Sequence, residues 1–339
     1  MPSTHVYRPR VVPNSLSKAS LIAGCALAWA CWKREPPREA AARETVAAAS
    51  ASAARQATAA APRRTAAVTD EREVSFGDGR ARFFVPADVK SAERLPLLLI
   101  LHGLGGSGAA ITRDLALDAF ASRRRFVYVS PDGAVDPMGR RFWNAGRACC
   151  NFFGAKTDDV ARLHQLVEHG VRALPIDPRR VFVVGYSNGG FMAHRLACER
   201  SQSLAAIVSI AAGGPQQACA GSEPVAVLEI HGDKDPIVPF AGGHLFGRSE
   251  LPRIAGVQSS LEPWTERNRC GGGFRRSQGL DLVPDIAGSE TDVLRPSQCA
   301  AAPLELWVVR GGSHYLAIGQ GALEKIWDFL AQSADLSAP

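Results

Sequence analysis

"VFVVGYSNGG" (Val181–Gly190) is a run of four apolar residues that leads, through Gly185 and Tyr186, to a serine. Val181 to Val184 fit a short strand buried on both faces. The next stretch, "NGGFMAHRLACE", places Phe191, Met192, Leu196 and Ala197 at helical spacing. A strand that turns at once into a helix bends sharply and leaves Ser187 at the apex. Gly185 and Gly189 remove side chains where the two elements must approach. Strand, G-x-S-x-G and helix together form the pattern of a nucleophile elbow, which makes Ser187 the candidate nucleophile.

Working outward, strands and helices alternate. "EVSFGDGRARFFVP" reads as a hairpin turning at "GDG". "PLLLILHG" is a buried strand, "AITRDLALDAFASRR" one helix and "FVYVSPDG" the next strand. "TDDVARLHQLVEHGVRAL" opens on an acidic cap and carries Val160, Leu163, Val167 and Val171 at helical spacing. "LAAIVSIAAG", "VAVLEIHG" and "LELWVVRGG" are later strands, and "QGALEKIWDFLAQ" is the last helix. Residues 240–303 read as a polar, irregular flap over one end of the sheet. The alternation predicts an α/β fold: a mainly parallel, doubly wound sheet with an N-terminal antiparallel hairpin.

A serine hydroxyl needs a base to take its proton, and the base needs an orienting acid. In folds built on this elbow the partners follow in the order serine, acid, histidine, at the ends of later strands. After "VAVLEI" the chain offers Asp233 and Asp235; Asp235 is preferred because Pro236 and Pro239 stiffen its turn. After "LELWVV" the loop "RGGSHYL" carries His314, whereas His244 falls in the irregular region. An oxyanion formed on Ser187 attack needs two N–H donors. Those of Asn188, directly after the serine, and Leu104, in the glycine-rich loop "LHGLGGSG", are in the expected places.

That loop also supports a rival reading. Gly103, Gly105 and Gly108 spell G-x-G-x-x-G after a strand, and Asp132 follows the next strand, as in a dinucleotide-binding oxidoreductase. The H-G turn at His102, and the elbow, Asp235 and His314 left unexplained, weigh against it. A third class, a non-catalytic surface binding protein on the same fold, leaves the serine, acid and histidine without a purpose.

Composition divides the chain. Residues 1–31 read as an export signal: Arg8, Arg10 and Lys18 precede the apolar run "ASLIAGCALAWA", which is too short to span a membrane. Cys25 and Cys31 each end an apolar piece and are candidates for a lipid anchor to a membrane. Residues 32–70 form an Ala-rich linker with few large apolar residues, expected to be disordered. Residues 71–336 form the catalytic domain. The first 69 residues hold ten Lys/Arg and three Asp/Glu, so they carry +7 against a whole-chain +6, leaving about −1 for the rest. No nucleic-acid surface is expected from that balance. Beyond Cys25 and Cys31 six cysteines remain, an even number suited to disulfides in an exported chain. Cys270 is expected to pair with Cys299 and Cys198 with Cys219, leaving Cys149 and Cys150 as a vicinal pair or as alternative partners. No C-x-x-C occurs, so no metal site is expected, and no cofactor is called for.

Taken together, "HGLGGSG", "FWNAGRACC", "TDDVARL", "DPRRVFVVGYSNGGFMAHRLAC", "LEIHGDKDPIVP" and "VVRGGSH" resemble the exported polyhydroxybutyrate depolymerase / feruloyl esterase (LpqC-like) group of α/β-hydrolases, over most of residues 73–332. The resemblance implies a serine carboxylesterase acting on an oligomeric or small ester through Ser187, Asp235 and His314. It also implies that Trp143 and Asn144 lie near the substrate cleft. One departure stands out. Members of this group commonly carry Trp-Pro after the histidine of a G-G-G-H stretch, whereas this chain reads Gly-Gly-Ser-His314-Tyr315-Leu316.

Overall fold

The computed structural model describes residues 69–77, 79–146, 149–215, 219 and 223–335. The predicted export segment with Cys25 and Cys31, and nearly all of the predicted linker, lie outside the described residues.

The predicted hairpin is β1 (Thr69–Phe76) and β2 (Gly79–Pro86), with Phe76 opposite Gly79. Then come β3 (Leu95–Leu101), α1 (Gly108–Asp114), α2 (Leu117–Arg124), β4 (Val127–Val129), and the short pair β5 (Ala134–Val135) and β6 (Arg141–Phe142). The centre of the chain supplies α3 (Asp159–Ala173), β7 (Ile176–Tyr186), α4 (Asn188–Glu199), β8 (Ala206–Ile210) and β9 (Ala226–Gly232). The remainder is β10 (Gly243–His244), β11 (Arg253–Ile254), α5 (Val257–Ser260), α6 (Glu262–Arg267), β12 (Cys270–Leu280), β13 (Thr291–Cys299), β14 (Leu304–Val309) and α7 (Gln320–Asp335).

Ten of these strands form one sheet in the order β1-β2-β4-β3-β7-β8-β9-β14-β13-β12. Its six central strands, β4 to β14, are parallel, and antiparallel strands extend both edges. The apolar runs are continuous because each central strand is buried on both faces. Leu97, Leu99, Val181, Val183, Ile207 and Val227 face a core closed by α3 and α4. The intervening Leu98, Ile100, Phe182, Val184, Val208 and Leu228 face a second core with Phe120 of α2 and Trp327 of α7. Period-two alternation thus divides each strand between two layers of helix.

Two expectations are corrected. Residues 110–124 are not one helix: α1 and α2 break at Ala116, whose φ of 49° and ψ of 47° are left-handed. Each piece has its own anchor. Gly108 packs so closely on the Ser130 carbonyl that a Cβ would lie 1.9 Å from it. Phe120 meets Phe126 and Trp327 edge-on in the second core. The break lets both contacts form. Residues 240–303, expected to be an irregular flap, instead contribute two long strands to the sheet edge. Four glycines in β12 and the arginines of both strands conceal the pattern, because pairing of β13 with β14 and of β12 with β13, rather than local propensity, makes these strands. A bulge between Gly271 and Phe274 uses the left-handed Gly272 and Gly273.

The disulfides join Cys149 with Cys150, Cys198 with Cys219, and Cys270 with Cys299. Cys270 and Cys299 stand directly opposite each other in the β12–β13 ladder and close a loop with a sequence separation of 29. By chain entropy such a closure stabilises by about 3–4 kcal/mol. Cys270→Ser combined with Cys299→Ser is therefore expected to lower unfolding stability by up to that amount. A urea midpoint unchanged from the parent would contradict this.

Candidate active site

Ser187 stands between β7 and α4 with φ 53° and ψ −116°, a strained backbone held in place by its N–H donating to the Ile210 carbonyl of β8 (2.7 Å). The flanking glycines are required by contact. A Cβ on Gly185 would lie 2.1 Å from the Gly189 carbonyl oxygen, and one on Gly189 would lie 2.2 Å from the Leu101 carbonyl oxygen of β3.

The loops after β9 and β14 bring the partners in. Asp235 Oδ1 accepts from the backbone N–H groups of Ile237 and Val238, both at 2.8 Å. Asp235 Oδ2 faces His314 Nδ1 at 2.7 Å. A carboxylate there requires the imidazole to carry hydrogen on Nδ1, leaving the Nε2 lone pair for the Ser187 hydroxyl at 2.9 Å. His314 and Asp235 are buried, whereas Ser187 is half-buried. Burial alone would raise the Asp235 pKa, but hydrogen bonds from His231 and His314 hold it well below the usual carboxylate range. Asp233, the other candidate acid, accepts from the Gly311 N–H (2.7 Å) and pins the histidine loop.

Tyr186, beside the serine, also steadies that loop. Its hydroxyl donates to the His314 carbonyl (2.5 Å) and accepts from the Leu316 N–H (3.0 Å). Burial raises its pKa, so the phenol stays protonated.

The glycine-rich loop lies against the serine: a Cβ on Gly103 would be 3.5 Å from Ser187 Cβ. His102 clamps its entrance. Its Nε2 accepts from the Gly133 N–H (3.0 Å), so the proton is on Nδ1 and is donated to the Gly103 carbonyl (2.8 Å). Burial lowers the His102 pKa and keeps the ring neutral. Asn188, fully buried at the N-terminus of α4, pairs with the Trp143 backbone: Oδ1 accepts from its N–H (2.7 Å) and Nδ2 donates to its carbonyl (2.9 Å). The Trp143 indole N–H donates to the His102 carbonyl (2.9 Å). Trp143 is 0% exposed, so its influence on the site runs through the groups it holds rather than through an open face. Asn144 is tied to the start of α3 by its N–H to Asp159 and to the turn before it by its amide donating to the Thr157 carbonyl.

The dinucleotide alternative fails on the residue that would bind the ribose. Asp132 accepts from the Gly108 N–H (2.8 Å) and pairs with Arg141 (2.9 Å), so the proposed acid closes the loop it would have to leave open.

Sequence reasoning passed over His102, Tyr186, His231 and Glu229 as working parts. Each adjoins a motif, within "LHG", "GYS" and "LEIHG", but the contacts from His102 to Gly133, Tyr186 to the His314 loop and Glu229 to His194 join distant parts of the chain.

A strained serine at the end of a central parallel strand, with carboxylate and imidazole supplied in that order by later strands, belongs to the α/β-hydrolase class. A model of the Phospholipase/Carboxylesterase family matches residues 87–249. Feruloyl esterase C of Emericella nidulans is 34% identical over 243 residues, covering 69% of this chain and 76% of that protein. A probable feruloyl esterase C of Aspergillus terreus is 28% identical over 255 residues, 72% of this chain and 81% of that protein. The match to the putative esterase NocK of Nocardia uniformis, 32% identical over 182 residues, spans 51% of that protein's length. An acetyl xylan esterase from Aspergillus awamori superposes with a TM-score of 0.52 at 14% identity, covering 77% of this chain and 99% of that one, which bears on the fold alone. The chain belongs to the α/β-hydrolase esterase family that includes these feruloyl esterases, and it is a carboxylic ester hydrolase.

Proposed function

We propose that the chain is an exported serine esterase that cleaves aromatic acyl esters of the feruloyl kind, with Ser187, His314 and Asp235 as its triad. The observation that carries this reading is the continuous line from Ser187 Oγ to His314 Nε2 (2.9 Å) and from His314 Nδ1 to Asp235 Oδ2 (2.7 Å). Ser187 Oγ attacks the ester carbonyl carbon while its proton passes to His314 Nε2. Asp235 orients the ring and balances the imidazolium. The N–H groups of Leu104 and Asn188 receive the oxyanion, and the second stands at the positive end of α4. The tetrahedral intermediate collapses, and the alcohol leaves with the proton from His314. Water, deprotonated by the same imidazole, then attacks the acyl-enzyme and frees the acid and Ser187.

Two observations support an aromatic acyl group. The relatives named above include feruloyl esterases. Among the described residues the exposed large apolar side chains are Val135, Phe153 and Tyr315, and Tyr315 sets its ring edge-on to His314 at 5.3 Å while remaining 59% exposed. An aromatic ring stacked there contributes about 0.5–1.5 kcal/mol. Tyr315→Ala is thus expected to raise KM for methyl ferulate roughly two- to thirteenfold and to leave that for p-nitrophenyl acetate unchanged. Equal losses on both esters, or faster turnover of hydroxybutyrate oligomers than of methyl ferulate by the parent enzyme, would overturn the aromatic reading.

Export is supported by the three disulfides, which persist in oxidising compartments. The segment read as a signal, with its candidate lipid sites Cys25 and Cys31, belongs to the same proposal.

A further inference from the structure

Behind the proposed triad lies a buried polar chain that the reaction scheme does not use. Asp235 Oδ2, which faces His314, also faces His231 Nε2 at 3.2 Å. His231 Nδ1 faces Glu229 Oε1 at 3.4 Å. Glu229 Oε2 faces His194 Nε2 at 3.1 Å, and His194 Nδ1 faces the Trp264 indole nitrogen at 3.0 Å. His231, Glu229, His194 and Trp264 are all fully buried.

Donor and acceptor chemistry places most of the protons. An indole N–H can only donate, so His194 Nδ1 is a lone pair and its proton is on Nε2, donated to Glu229. Glu229 Oε1 accepts from the Ala212 N–H (3.3 Å) as well, which suits a carboxylate. His231 Nε2 faces only acceptors, Asp235 Oδ2 and the Val238 carbonyl (2.9 Å), so it carries hydrogen. The remaining question is His231 Nδ1, which points at an ionised Glu229.

We propose that His231 is an imidazolium held between the carboxylates of Glu229 and Asp235, a positioning residue whose charge tunes the base of the triad through Asp235. The inference rests on Ser187, His314 and Asp235 acting together. Its physical reason is charge balance in a site with little water. Asp235 and Glu229 contribute two negative charges and His231 one positive, leaving a net of −1 at rest. When His314 takes the serine proton the cluster becomes neutral, so the buried set is balanced in the transition state. Burial by itself would lower the His231 pKa, but the bonds to Asp235 and Glu229 outweigh it and raise the value to about 9. Glu229 is lowered despite complete burial by its bonds from His194 and His231.

The groups facing His231 are few. Glu229 comes from its own strand, and Asp235 and the Phe240 ring (5.9 Å) come from the loop beyond. His194 of α4 reaches it through Glu229, and His314 from the loop after β14 reaches it through Asp235. Tyr186 of β7 is a protonated phenol bonded to the His314 carbonyl.

The test uses the whole protein labelled with 15N-histidine, in the parent and in Ser187→Ala. At pH 7.5 (roughly 1.5 units below the raised pKa), both ring nitrogens of His231 are expected to show protonated shifts; one unprotonated nitrogen overturns the proposal. The second arm is the pH profile of kcat/KM on p-nitrophenyl acetate. His231→Gln keeps a donor toward Asp235 but leaves −2, which favours protonated His314, so the acid limb moves up by about one unit and activity on that limb falls about tenfold. Adding Glu229→Gln returns the net charge to −1 and the limb to its parental position. A limb unmoved in His231→Gln, or one that the second substitution does not restore, overturns the proposal. Loss of turnover in Ser187→Ala alongside a neutral His231 would leave the esterase reading standing and remove only this one.

Discussion

Replacing Ser187 with alanine is expected to lower ester turnover by about 10^4- to 10^6-fold while leaving the fold unchanged. The size of the effect follows from the geometry. The hydroxyl is the group aimed at His314 Nε2, and without it no covalent acyl-enzyme can form. Residual catalysis would come from oxyanion donors and substrate positioning alone. The preservation of the fold follows from what the backbone already tolerates. The left-handed φ of 53° is as demanding for serine as for alanine, since both carry a Cβ. The Ser187 N–H keeps its bond to the Ile210 carbonyl, and the side chain lost is half-buried. Turnover and melting temperature measured on the same preparations separate the two effects. Turnover within tenfold of the parent would remove Ser187 from the mechanism, and a melting temperature lowered by more than about 5 °C would show that the variant reports on stability instead.

Among single substitutions, Gly189→Ala is expected to lower stability the most. Its methyl group would fall 2.2 Å from the Leu101 carbonyl oxygen and 2.7 Å from that of His102. Both are backbone atoms of the neighbouring strand and of the loop that carries Leu104, so no rotamer change relieves the overlap. Either α4 moves away from β3, opening the core around Met192 and Leu99, or the elbow loses its shape. Overpacking in such places costs roughly 1–3 kcal/mol and sometimes more, and a backbone-to-backbone clash at the centre of the sheet belongs at or beyond the upper end. The control is the same substitution at Gly321 in α7, where an added Cβ meets nothing within 4 Å. There alanine is expected to be neutral or to stabilise by up to about 1 kcal/mol. Denaturant midpoints for the two variants that agree within error would show that the close approach at the elbow does not matter.

The parts of this molecule that a linear reading could recover are those whose physics is local. Val181–Val184 and Leu97–Leu101 are apolar throughout because each is covered on both faces, and "GYSNGG" has small residues because strand and helix backbones nearly touch there. His314 and Asp235 could be named as candidates because each follows directly on an apolar strand and chain order restricts the choice. The cysteine pairs Cys198–Cys219 and Cys270–Cys299 also emerged in the expected pairing.

What failed were segments whose conformation is imposed from a distance. "CGGGFRRSQGL" has neither the alternation nor the propensity of a strand, and it becomes one because β13 and a disulfide hold it at the edge of the sheet. The break at Ala116 has no proline or glycine to announce it and exists because α1 and α2 answer to different neighbours. The buried line from Asp235 through His231, Glu229 and His194 to Trp264 was equally invisible, since it joins residues up to 70 positions apart.

The amino-acid order alone therefore determined the layered fold, the candidate serine, acids and histidine at the strand ends and the spacing of the glycines, because periodicity and close approach act between near neighbours. The tertiary structure decided which carboxylate meets the imidazole, which loop each histidine clamps and where the buried charges balance. Those outcomes depend on burial and on distances of about 3 Å between strands that the chain order does not bring together.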